Sequence, residues 1–233
     1  MATPPRQVKK STTYFVTCRC VSRTFRLVPT DKVTKLVEYC LALCAFLTGI
    51  RLHAYCFMSN HYHLVLTDVR GLLPDFMMRL NALLSRNLNA IRGWNGTNFE
   101  KGYSAVVVTD VRSAIEECAY TVANPVKADL VVRSRGWKGC TSARMKFGQS
   151  RVIKRPKLGI WRHVARSSKK QKRNKPWAKG RERFKGRSTL PETVELTLEP
   201  IPLPWSGTDE DLLQAVRDRV EQREFAAEKK RAA

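Results

Sequence analysis

The amino-acid sequence predicts an α+β fold, a ferredoxin-like plait with an antiparallel sheet, followed by a basic extension. Two observations carry this. Over roughly the first 130 residues, apolar positions alternate between strand and helix periods in the order β-α-β-β-α-β, with one further helix after them. Charge then changes abruptly: the 233 residues carry a net +23, and residues 131–190 hold 21 Lys and Arg against the single acid Glu182, so +20 lies there and +3 elsewhere. The chain divides accordingly into a plait over residues 1–132, a basic nucleic-acid-binding extension over 133–190, and a proline-punctuated linker with an amphipathic helix over 191–233.

Each element has a local reason. Residues 14–21 (YFVTCRCV) are β-branched and aromatic and form a first strand. Thr30 caps a helix in which Val33, Leu36, Val37, Cys40, Leu43, Cys44 and Leu47 recur at i, i+3, i+4, and Gly49 ends it. Residues 53–58 and 62–67 are two short apolar runs split by Ser59-Asn60, the pattern of a hairpin. A second helix, 72–92, buries Phe76, Leu80, Leu83, Leu84, Leu88 and Ile91, and turns Arg79, Asn81, Ser85, Arg86 and Asn89 outward as a polar, basic face. YSAVVV (103–108) is a fourth strand. Ser113 with Glu116 makes a capping box that opens a third helix, and Pro125 stops it near Asn124. Beyond Arg133 periodicity fails. ELTLEPIPLPW (195–205) is proline-punctuated and extended, and Leu212, Leu213, Val216, Val220 and Phe225 mark a last helix.

Composition excludes several classes. No apolar run approaches the ~20 residues of a membrane span, and the first residues lack the apolar segment of a secretory signal. Seven cysteines with no CxxC pair read as reduced thiols of a cytoplasmic protein. The cation block is the footprint of a polyanion binder, nucleic acid before anionic membrane. Trp137, Phe147, Trp161, Trp177 and Phe184 are interleaved with it, and flat side chains stack on unpaired bases for about 1–3 kcal/mol each. The candidate contacts are Arg79, Arg86, Lys127, Arg133, Arg135, Trp137, Lys138, Arg162, Lys169, Lys170 and Arg173.

The candidate chemistry lies in HAYCFMSNHYHLVLTD (53–68). His61 and His63 share one strand face, roughly 7 Å apart along the strand, with Tyr62 on the other. Two of only four histidines so placed are either half of a metal site or a hydrogen-bonded structural pair. Tyr120 and Asn124 are four apart, one turn from each other if both are helical, with Glu116 a further turn back. Were that face to look across the sheet at the histidines, His61, His63 and Asn124 would form a three-ligand site beside a tyrosine hydroxyl. Alternatively Tyr120 is a core tyrosine, Asn124 a helix end before proline, and Glu116 a cap before it is an outer ligand.

These residues carry a resemblance. The 53–68 segment resembles the signature of HUH single-tyrosine transposases, the REP-associated branch above all, in which two histidines flank one bulky residue. AYTVANPVKADLV (119–131) resembles their catalytic helix, and TNFEKGYSAVVV (97–108) the stretch between. The likeness covers about residues 11–132; Ser59 stands where relatives commonly have proline. It implies Tyr120 as nucleophile, His61, His63 and Asn124 as ligands of Mg²⁺ or Mn²⁺, and single-stranded or hairpin DNA as substrate. The expected activity is cleavage and strand transfer through a 5′-phosphotyrosine link, in the cytoplasm at the nucleoid. On ligand softness alone, two imidazoles favour Mn²⁺ or a later metal over Mg²⁺. One nucleophile makes one link at a time, so two-strand exchange implies a homodimer or sequential turnover. The rival readings are a non-catalytic DNA or RNA binder on the same plait and a domesticated relative that binds chromosomal hairpins.

Overall fold

The computed structural model describes residues 8–157 and 190–232. Strand alternation decides its layers. β1 (Thr12–Arg19) turns Tyr14, Val16 and Cys18 to one face of the sheet and Phe15 and Thr17 to the other. It pairs antiparallel with β3 (His61–Asp68) and β4 (Ser104–Val108), and β3 pairs antiparallel with β2 (Ile50–Phe57). The order β2-β3-β1-β4 is the ferredoxin-like plait that the element order implied. α1 (Asp31–Thr48) and α2 (Leu73–Arg92) bury the Tyr14 face, with Leu36, Tyr39, Phe76 and Leu80 in one cluster with Tyr62 and Leu64. α3 (Val111–Lys127) covers the opposite face, where Ala114, Cys118 and Val122 meet Ala54 and Val65.

The element ends have identifiable causes. Thr30 accepts a hydrogen bond from Val33 N at 3.3 Å and opens α1; Gly49 closes it in the left-handed region at φ 71°. Asp68 is fully buried and accepts four backbone N–H groups, from Arg70, Gly71, Leu72 and Leu73 at 3.2, 2.8, 2.9 and 2.7 Å, which fixes the entry to α2. All seven cysteines are buried and free.

Four expectations are corrected. Asp110, not Ser113, caps α3: it accepts from Ser113 N at 2.9 Å and Ser113 Oγ at 2.7 Å, so no capping box forms with Glu116. α3 also runs through Pro125 to Lys127. Proline there removes one N–H from the last turn, and the turn persists because Val126 is fully buried and Ala128 N still closes on Asn124 O at 3.0 Å. On the second helix, Asn81 turns inward, its Oδ1 accepting from Tyr62 Oη at 2.6 Å, and Asn89 is only half-exposed, its Oδ1 accepting from Asn98 Nδ2 at 2.6 Å. Phe225 leaves the last helical stripe, 56% exposed, while Glu224 takes the buried place.

Beyond residue 132 the described chain folds back onto the plait. β5 (Ser150–Lys154) pairs antiparallel with β6 (Thr193–Thr197), a strand inside the stretch read as merely extended. Ile153, Leu190, Val194, Leu196 and Leu198 join the core on the α1 side, and Tyr39 Oη donates to Pro191 O at 2.6 Å. α4 (Asp209–Ala232) lies along α3, burying Leu212, Leu213 and Val216. No helix among the described residues is long and apolar enough to cross a membrane.

Candidate active site

Register brings the histidines to α3. His63 faces Thr17, and His61 faces Arg19, across the β1–β3 pair. The two imidazoles have ring centroids 4.9 Å apart. Tyr120 reaches over them from α3, its ring 5.3 Å from that of His63 and 5.9 Å from that of Phe15, both edge-on. Asn124, one turn on, is buried and within hydrogen-bonding reach of His61. Tyr62 turns away, fully buried and stacked on Phe57 at 4.6 Å.

Each histidine is held by its Nδ1. The Asn60 amide oxygen lies 2.6 Å from His61 Nδ1, and Thr17 Oγ1 2.9 Å from His63 Nδ1. An amide oxygen only accepts, so the His61 proton sits on Nδ1 and Nε2 keeps its lone pair. Burial, then His61, Arg19 and Lys127, push His63 down to about 3. Burial lowers His61 too, with Asn124 opposing and Arg19 assisting. Both are neutral imidazoles at neutral pH, the state a metal ligand requires.

This donor set fits a divalent ion: two neutral imidazoles, an amide oxygen, and an outer partner on each ring. Among the described residues no group of three His, Cys, Asp or Glu could hold a metal, so a third protein donor here would have to be the amide of Asn124. Beside it opens a cleft of about 950 Å³ lined by Phe15, Thr17, His63, Tyr103 and Tyr120, whose charges are Arg19, Lys101 and Arg223 against Glu100, Glu116 and Glu117. Lys127 Nζ lies 4.8 Å from the Tyr120 ring centroid. Tyr103, read as part of a strand, precedes β4 and shares this cleft.

The other candidates are scattered. Glu116 lines the same cleft, where burial raises its carboxyl and Arg219 and Arg223 of α4, the latter at 2.7 Å, outweigh that and hold it below the usual carboxylate range. Arg79 and Arg86 are on α2, across the sheet from Tyr120, and Arg79 pairs with Asp75 at 2.6 Å. Trp137 is buried, its Nε1 donating to Phe57 O at 3.0 Å, and offers no surface for stacking. Arg133 is tied to Glu224 at 3.3 Å, whereas Arg135 and Lys138 are exposed. Arg162, Lys169, Lys170 and Arg173, with Trp161, Trp177 and Phe184, lie outside the described residues. Thr17, Asn60 and Arg223 were missed; only Asn60, next to His61 in a turn, left a local trace.

The mixed plait that carries these residues is a fold found in a solved structure. A REP-associated tyrosine transposase bound to a REP hairpin superposes with TM-score 0.51 at 14% identity, over 61% of this chain and 82% of that one. The fold is therefore that of a REP-associated tyrosine transposase. A protein of Deinococcus radiodurans R1, provisionally named a transposase, matches at TM-score 0.36 and 21% identity over 48% of this chain and 91% of its own. No family model and no curated protein matches the sequence.

Proposed function

We propose that this chain is a metal-dependent single-strand DNA endonuclease and strand transferase, a tyrosine transposase acting on hairpin-bearing DNA through a 5′-phosphotyrosine link. The observation that supports it most is the convergence of Tyr120, His61, His63 and Asn124 from two elements far apart in sequence. RNA or DNA binding alone needs none of the four.

Tyr120 Oη attacks the phosphorus; the Oη–P bond forms as the P–O3′ bond breaks. The phenolic proton passes to water in the open cleft, and the departing 3′ oxygen takes one up. The phosphodiester energy stays in the phosphotyrosine, so a 3′-OH can later reverse the step without ATP. Mg²⁺ or Mn²⁺ held by His61, His63 and Asn124 would draw charge from the phosphate oxygens and favour in-line attack. Lys127 and Arg19 add positive charge where the anion must sit, and a phenol, a weak nucleophile while it keeps its proton, profits from that field. One nucleophile per chain calls for a second chain, or a second turnover, for two-strand exchange. The work belongs in the cytoplasm, where bacterial DNA lies.

The test is incubation with hairpin-bearing single-stranded DNA and Mn²⁺, then denaturing electrophoresis. A covalent adduct that EDTA and His61→Ala or His63→Ala abolish is expected, with DNA binding far less affected. Binding without adduct would favour the non-catalytic hairpin binder instead, and cleavage undiminished in EDTA would sink the metal assignment.

A further inference from the structure

We propose that Arg223, on α4, binds the scissile phosphate beside Tyr120, completing with a residue from the C-terminal helix a site otherwise built by the plait. This role rests on the reaction proposed above. The Arg223 guanidinium carbon lies 5.7 Å from the Tyr120 ring centroid, and the side chain lines the cleft that holds His63 and Tyr120. Its Nη2 donates to Glu116 Oε2 at 2.7 Å. Glu116 is one turn before Tyr120 on α3, so the carboxylate tethers the guanidinium to the helix face that carries Tyr120. Arg223 Nε is buried and has no partner among the described residues. A guanidinium has five N–H donors in a planar fork that suits two oxygens of one phosphate, and this one has donors to spare.

A strut that merely fastens α4 to α3 explains less. α4 is already fastened: Leu212, Leu213 and Val216 are buried, and Glu224 accepts from Ser134 N at 2.7 Å. Arg219 reaches the same Glu116 carboxylate without lining the cleft. A second arginine adds little to docking, and a strut gains nothing by leaving a buried donor unsatisfied. A phosphate oxygen arriving at Tyr120 supplies the missing acceptor, in a place where the charge of the transition state develops.

The test is single-turnover adduct formation by the full chain at saturating hairpin-bearing single-stranded DNA with Mn²⁺, alongside DNA affinity and Tm. Arg223→Ala should slow adduct formation by about 10²–10³-fold, as removal of one preorganised donor does, with affinity near the parent value. Arg223→Lys should recover part of the rate. Arg219→Ala, which loses a contact to the same carboxylate, should react like the parent. Adduct formation by Arg223→Ala at the parent rate overturns the role. So does an equal fall in Arg219→Ala that tracks a shared loss of Tm, which would make Arg223 a strut. A parent that forms no adduct overturns the proposed reaction and this role with it.

Discussion

Thr17 and Asn60 each hold one imidazole by its Nδ1, at 2.9 and 2.6 Å, and so aim the two Nε2 atoms. Outer partners of this kind are worth about 10–100-fold in metal affinity. Thr17→Val and Asn60→Ala should each raise the Mn²⁺ concentration needed for adduct formation by that factor; an unshifted titration would show that they orient nothing. His53 makes a different prediction. At the β2 bulge its Nδ1 meets Glu199 O at 2.9 Å and its Nε2 meets Thr67 Oγ1 at 2.7 Å, and burial pushes it down to about 4. The unfolded chain takes up that proton near pH 6.5, the native one only near 4, so stability is full above about 6.5 and falls as pH drops to 4. The loss is about 3 kcal/mol for this group. Urea unfolding of His53→Gln should depend correspondingly less on pH across that window than the parent; an unchanged pH dependence would contradict the assignment. At this scale the His61/His63 pair and the Tyr120/Asn124 spacing were legible, because strand and helix periods alone place them. Thr17 was not, since only the β1–β3 register puts it against His63, and Glu116 was read first as a cap because the arginines that hold it lie 103 and 107 residues away.

Elements are held by local devices that patterning only partly reveals. Both long helices of the plait were legible because their apolar positions repeat over many turns, and Thr30 and Gly49 closed α1 as their chemistry dictates. A Cβ at Gly49 would come 2.9 Å from Arg70 Nε and sit at φ +71°, so Gly49→Ala should destabilise by about 1 kcal/mol or more, read from the denaturant midpoint. Asp68 was invisible as a structural residue because its four partners are backbone groups of the turn that follows. Asp68→Ala leaves them without an acceptor at a buried helix entry and should cost at least about 3 kcal/mol; a loss under 1 kcal/mol would mean that water replaces the carboxylate. The end of α3 went the other way: a sound local rule about proline yielded to the burial of Val126.

For the whole molecule, the cation block was legible and its architecture was not. β5 is five residues of mixed basic and apolar character, too short for a periodicity, and its partner β6 begins 39 residues after it ends, at Thr193 after Lys154. The segments on either side of residues 158–189 supply Trp137, Leu190, Val194 and Leu196 to the core, so cutting the chain at residue 132 would strip the core as well as the charge. A cleaner test uses the strand pairing. Lys154 lies opposite Thr193, so a short Asn-Gly turn can replace residues 158–189, which carry 12 of the 21 Lys and Arg between 131 and 190. The plait should keep its Tm while the plot of log affinity against log salt on single-stranded DNA becomes shallower by about 0.7 per lost phosphate contact. An unchanged slope would show that this stretch does not touch DNA.

The central claim is that Tyr120 is the nucleophile, and peptide mapping of the covalent adduct tests it most directly. Tyr120→Phe removes one oxygen and almost no volume, so folding, metal binding and DNA binding should survive while the adduct disappears. Tyr62→Phe, on the far face of the sheet, and Tyr103→Phe, in the same cleft but off α3, should both still form it. Digestion of the parent adduct formed on hairpin-bearing single-stranded DNA with Mn²⁺ should place the DNA on the peptide containing Tyr120. DNA on the Tyr103 peptide, or an adduct that persists in Tyr120→Phe, would contradict the mechanism even with the fold intact.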